Sequence, residues 1–193
     1  MKTATVLLIA LGFCAFAQSP FPATPPASVG AAIDREITLA ERQVVMAVEA
    51  MPADKFNFSP ESLNIQGANF KGVYTFAGLV KHLAAANYFL WGGAGGDKVP
   101  ASITSVKGPE SMTERAEIIQ LLKDSFASGH HAAAALTAEN SLDKVPGPAG
   151  NKVPRVFGLT FAVAHAYDEY GQMEEYLRMN GVVPPASRPA PGR

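Results

Sequence analysis

The chain has 193 residues, 48% of them hydrophobic and 17% charged, which suits one globular domain with a sizeable core. Its 16 basic and 17 acidic residues give a net charge of −1, and the sequence contains no basic cluster. These features exclude an electrostatic basis for binding nucleic acid or an anionic membrane surface.

The N-terminus has the pattern of a secretory signal peptide at residues 1–17. Lys2 supplies the positive start, residues 4–17 are apolar, and Ala15 and Ala17 place small residues where a signal peptidase cleaves. The apolar run is too short for a membrane span. We therefore expect a secreted or periplasmic protein whose mature form does not enter the membrane. A lipid anchor at Cys14 is the weaker alternative, because the bulky Phe13 stands where a lipid-attachment motif needs a small residue.

Cys14 is the only cysteine of the chain, and it lies inside the predicted signal. The mature protein would therefore have no disulfide, thiolate ligand or cysteine nucleophile. Residues 18–28 are rich in proline and predict an extended tether before the domain.

The first two helices are predicted from apolar periodicity. The first follows Ser28 and covers residues 29–51, with this apolar stripe at helical spacing: Ile33, Ile37, Leu39, Ala40, Val44, Val45 and Val48. Residues 52–74 lack periodicity and predict a long irregular connection, a feature that is often functional. The second helix opens near Thr75 and ends at Gly92 and Gly93.

The third and fourth helices are predicted from capping signals. Ser111 and Glu114 form a capping box that should start a helix running to about Leu136. Residues 143–151 read as a Pro/Gly loop, and Pro154 suits the first turn of the last helix. Asn180 and Gly181 supply its C-terminal cap.

Four helical segments without strand alternation predict an all-α four-helix bundle over residues 29–185. The long connections mean that a simple up-down order is not assured. Residues 186–193 predict a disordered tail.

Three side chains stand out as candidates for chemistry. His165 and Glu169 are four residues apart, so both leave one face of the last helix. They interrupt a stripe that starts with Phe157 and Phe161 and should face the core. His82 lies beside the apolar stripe of the second helix, and facing helices are where bundles hold metals. Alternatives stay open, because His82 could be an ordinary core histidine and His165 could simply hydrogen-bond to Glu169.

Two segments resemble the DinB-like (DinB/YfiT) superfamily of four-helix-bundle metalloproteins. One is TFAGLVKHLAAANYFLW, where the family has a second-helix histidine followed by small apolar residues. The other is HAYDEYGQMEEYLRMNGVVPP, where the family has two histidines four residues apart, then Gly-Gln, and in many members a YLR-x-NG-x-x-PP ending. The resemblance covers essentially the whole mature chain. It implies a four-helix bundle with metal ligands at His82 and His165, close helix packing at Gly171, and a hydrogen bond from Gln172 to a ligand.

The sequence departs from the family at Glu169, where most members have a third histidine. A His/His/Glu set can still hold a divalent ion, with its preference moved from nickel toward iron or manganese and with zinc still compatible. The resemblance then implies a hydrolase or transferase in which Glu169 is a ligand or, if unligated, a general base. Family members include thiol transferases and an isomerase of thiol conjugates. Their thiols are cytosolic, so the secretory signal argues against the same reaction here.

A non-enzymatic alternative also follows from Glu169. In it the site is degenerate, and the bundle is a metal-free module that binds a small molecule or forms a homodimer. The expected partner under either alternative is an unidentified small molecule.

Overall fold

A computed structural model describes residues 26–189. The predicted signal peptide, most of the predicted tether and residues 190–193 lie outside this part of the chain. The described part contains four long helices, α1 (Val29–Ala50), α2 (Phe76–Gly93), α3 (Arg115–Ala134) and α4 (Arg155–Met179), and a hairpin of strands β1 (Lys144–Pro146) and β2 (Lys152–Pro154). The predicted all-α bundle is confirmed. No helix between residues 26 and 189 is both long and apolar enough to cross a membrane.

The helices form a bundle in which α1 and α2 occupy opposite corners, since each packs against α3 and α4. Three contacts show the relative directions of the helices. Asp34 near the start of α1 contacts His130 near the end of α3, and Tyr74 before the start of α2 contacts Tyr176 near the end of α4, so both pairs are antiparallel. Lys81 near the start of α2 contacts Met112 before the start of α3, so this pair is parallel. α2 and α3 therefore run in one direction, and α1 and α4 run in the other. The connection of residues 51–75 crosses the bundle diagonally from the end of α1 to the start of α2.

The most extensive contact between two helices is that of α2 with α3. Trp91 is fully buried there, and a Cβ on Gly129 would lie 2.7 Å from the indole ring. Gly129 therefore interrupts the helical pattern of α3 so that the helix can approach Trp91 closely.

Helix ends follow their capping residues in three of four helices. Ser28 and Thr75 accept hydrogen bonds from the first turns of α1 and α2. At the end of α4, Gly181 adopts a φ of +74°, and the amide of Val182 donates to the carbonyl of Leu177. This is the predicted glycine cap, in Schellman form.

The capping box predicted at Ser111 is wrong. α3 begins at Arg115 after Glu114, whose side chain makes no capping hydrogen bond. The reason is a tertiary contact, because Lys81 Nζ donates to the carbonyls of Pro109 and Met112 and holds that segment in a turn.

Two further segments differ from the expectation. The predicted loop of residues 143–151 contributes to an antiparallel hairpin in which Val145 pairs with Val153, and strands of three residues are too short to give a visible alternation. At the other end, Pro185–Ser187 form a 3₁₀ helix, with Arg178 donating to Ser187 at 3.0 Å. Residues 186 and 187 therefore belong to this helix, where the sequence predicted the start of a tail.

Candidate metal centre

His82 lies on α2 with its ring held from two sides. Its Nδ1 donates to the carbonyl of Val106 at 2.6 Å, and Tyr74 stacks on the ring with centroids 5.1 Å apart. The Tyr176 hydroxyl donates to the Tyr74 carbonyl at 2.9 Å and holds this residue in place. Because Nδ1 carries the donated proton, Nε2 is left with a free lone pair. The surroundings therefore prepare Nε2 to act as a ligand.

α4 brings His165 and Glu169 to the same point from the opposite side. Glu169 Oε1 lies 3.4 Å from His82 Nε2 and 3.6 Å from His165 Nδ1. The two imidazole rings meet edge to face, with centroids 5.3 Å apart. The potential ligand atoms of the three residues all lie within 4.8 Å of one another, which makes this the one such cluster in the described part of the chain.

The distances within the cluster help to decide between a metal site and a simple hydrogen bond from His165 to Glu169. Hydrogen bonds to imidazole nitrogens measure about 2.7–3.2 Å, so the 3.6 Å between His165 and Glu169 argues against a simple intrahelical hydrogen bond. Donor atoms bound at about 2.1 Å to one tetrahedral ion lie roughly 3.4 Å apart. Glu169 is also only 5% exposed, and a buried carboxylate needs a partner of opposite charge. The donor set therefore fits a divalent cation.

Electrostatics distinguishes the two histidines. The contact with Glu169 raises the pKa of His82, burial opposes this effect, and the Val106 carbonyl adds to it. Burial lowers the pKa of His165; Glu169 and Asp168 oppose the lowering, and the positive charge of His82 adds to it. His165 therefore keeps a neutral ring to lower pH than His82, and binding of an ion requires both rings to be neutral.

Gln172 supports the carboxylate as the resemblance implied. Its Nε2 donates to Glu169 Oε2 at 3.3 Å and lies 3.5 Å from Asp168 Oδ2. Asp168 is exposed and does not join the cluster. The expectation for Gly171 is wrong, because a Cβ there would have nothing within 4 Å.

A cavity of about 510 Å³ opens beside the two histidines. Its walls come from α2, from α4, from the tip of the β1–β2 hairpin and from Ser105 and Val106 of the α2–α3 connection, and they include Phe89 and Phe161. Phe157 and Phe161, predicted to face the core, are instead 44% and 38% exposed. No local pattern in the sequence identifies Val106 or the hairpin, since both reach the site through tertiary contacts.

The other two histidines lie away from this centre. His130 bridges α3 to α1 through Asp34 at 2.6 Å and Glu41 at 3.1 Å. His131 is exposed and contacts Asp97. His130 therefore ties α3 to α1, and His131 makes a contact at the surface.

One comparison with known proteins identifies a family, and a second supports the fold. A family model described as the DinB superfamily matches residues 36–173, which include all three candidate ligands. Among solved structures, the chain is similar to the crystal structure of a DinB-like protein from Bacillus cereus ATCC 10987, with a TM-score of 0.58 and 15% identity over 83% of this chain and 98% of that chain. At that identity the likeness concerns the fold alone. A search of curated proteins finds no match.

Proposed function

This chain belongs to the DinB superfamily, and from that premise we propose that it is a divalent-metal-dependent hydrolase or transferase whose ion is held by His82, His165 and Glu169. The observation that carries the proposal is the convergence of two imidazole nitrogens on one buried carboxylate oxygen, at 3.4 and 3.6 Å, beside an open cavity.

His82 and Glu169 have distinct tasks in this proposal. His82 Nε2 is aimed by the Val106 carbonyl and by the Tyr74 ring. Glu169 supplies negative charge through Oε1, while its Oε2 is held by Gln172. Three protein ligands leave coordination positions open for water or substrate on the cavity side, and a bound divalent ion would lower the pKa of water there. If Glu169 is not a ligand, its carboxylate is placed to take up a proton as the general base.

The identity of the metal is inferred from the donor atoms. An anionic oxygen in place of a third imidazole favours iron or manganese over nickel, and zinc remains compatible with two nitrogens and one oxygen. Our proposal for the site is therefore iron, manganese or zinc, in a protein that the pattern of residues 1–17 directs to a secreted or periplasmic location.

The second candidate is a metal-free bundle that binds a small molecule. It is favoured by the cavity itself, whose apolar walls do not depend on an ion. The substitution at Glu169 would then mark the loss of the metal function, and a homodimer remains one form that such a module could take.

Calorimetric titration of chelator-treated protein with Mn²⁺ and Zn²⁺ separates the two candidates. We expect one ion per chain and a loss of at least about tenfold in affinity for His165→Ala. His131→Ala is the matched control, because the His131 side chain hydrogen-bonds to the exposed Asp97 and not to the cluster, so affinity should be unchanged. Equal, weak binding by all three proteins would support the metal-free module.

A further inference from the structure

The cavity beside the histidines has an unusual lining for an enzyme of polar metabolites. Among the described residues 26–189, no lysine, arginine, aspartate or glutamate lines this cavity. Its polar side chains are Ser105 and the two histidines. Asp168 lines a neighbouring cavity that shares Phe161 and His165 with this one. A phosphate or carboxylate placed against the walls away from the two histidines would therefore lose its hydration without meeting a lysine or an arginine.

Two aromatic side chains stand at the rim of this cavity. Phe89 on α2 and Phe161 on α4 are each 38% exposed while contributing to the walls. Large aromatic side chains are normally buried, and partly exposed ones around a concave pocket are typical of small-molecule sites. The cavity volume of about 510 Å³ also lies within the range of about 300–1,000 Å³ for such sites.

The β1–β2 hairpin forms a rigid wall of the cavity beside the walls from α2 and α4. A Cβ on Gly93 would lie 3.0 Å from the Pro146 carbonyl oxygen, so the hairpin packs directly on the end of α2. Pro148 and Ala149 line the cavity from the tip, and Ala149 adopts a φ of +55°. Prolines and a constrained turn limit the conformations open to this wall.

We propose that this cavity is the substrate site, and that it selects an uncharged small molecule with an aromatic or branched alkyl body and a single polar group directed at His82 and His165. Phe89, Phe161 and the hairpin tip recognise the body. The recognition of the polar group rests on the proposed metal function, whereas the recognition of the apolar body needs no ion.

The first test concerns the apolar body alone. N-phenyl-1-naphthylamine, an uncharged fluorescent probe, should bind to metal-free protein with a strong gain in fluorescence. Phe161→Ala should weaken this binding about tenfold through lost apolar contact. Tyr167→Ala is the matched control, because Tyr167 is equally exposed at 38% on the same helix and does not line the cavity. Absence of binding, or equal binding by both variants, would overturn the proposal.

The second test separates this proposal from the metal proposal. Zinc-loaded protein is titrated with benzohydroxamate, 4-carboxybenzohydroxamate and acetohydroxamate, which share one metal-binding group. We expect benzohydroxamate to bind at least about tenfold more tightly than the other two, since only it offers an uncharged ring. Equal affinities would refute the apolar selection while leaving the metal site intact. If no hydroxamate binds but the naphthylamine does, the metal function fails and the apolar cavity stands.

Discussion

Replacing glycine by alanine in two helices should change stability in opposite directions. In a helix interior, alanine is favoured over glycine by about 1 kcal/mol when nothing obstructs the new methyl group. Gly171 meets that condition, because a Cβ there has nothing within 4 Å. At Gly129, a Cβ would lie 2.7 to 2.9 Å from three atoms of the Trp91 ring.

The indole ring has no room to move away from that methyl group. Trp91 is fully buried, packs on Phe126 with ring centroids 5.6 Å apart, and donates to the Leu159 carbonyl at 3.4 Å. Overpacking of a filled core costs about 1–3 kcal/mol, and three close contacts on a fixed ring place Gly129→Ala at the upper end. After the gain of about 1 kcal/mol from helix propensity, the variant should lose about 2 kcal/mol.

Urea unfolding followed by circular dichroism measures both effects. At a slope of about 2 kcal/mol/M, Gly129→Ala should lower the midpoint by about 1 M, while Gly171→Ala should raise it by up to about half as much. The reasoning would be refuted if Gly129→Ala proved as stable as the wild type, or if both variants shifted the midpoint in the same direction.

Three further predictions concern the histidines and their partners. Burial lowers the pKa of His130, but hydrogen bonds to Asp34 and Glu41 outweigh this effect and raise the pKa above 6.5. The loss of stability in His130→Gln should therefore be largest below pH 6.5 and should shrink as the pH rises through the raised pKa. Urea unfolding at several pH values measures this dependence. Gln172→Ala should weaken metal binding about tenfold by calorimetry without unfolding the protein, since it frees the Glu169 carboxylate. Glu169→His should retain or strengthen zinc and nickel binding in the same assay, and a variant with no affinity for either ion would contradict the ligand role of this position.

Most of the bundle could be predicted because its helix ends are encoded locally. Ser28, Thr75 and Gly181 act on amides or carbonyls within one turn of the chain, so a short sequence window contains the whole signal. The capping box at Ser111 failed because Lys81, thirty residues earlier, determines the local backbone through its hydrogen bonds. Tertiary contacts of this kind leave no periodicity in the sequence.

The three candidate ligands could be predicted from the sequence, but the groups that surround them could not. His165 and Glu169 follow from helical spacing, and His82 follows from its place beside the apolar stripe and from the family resemblance. The Val106 carbonyl is a backbone group on an irregular segment, so no residue type identifies it in advance. Phe161 continues the apolar stripe of α4 toward its N-terminal end, where the hairpin leaves a cavity instead of a filled core. The substrate pocket therefore emerges only when the hairpin is placed against α2 and α4.

Elemental analysis of protein purified without any metal-chelating tag tests the central claim most directly. The His82, His165 and Glu169 cluster predicts about one equivalent of iron, manganese or zinc per chain, and His82→Ala should abolish it while His131→Ala leaves it unchanged. Wild-type protein that contains no stoichiometric metal, and takes up none when supplied with these ions, would contradict the account.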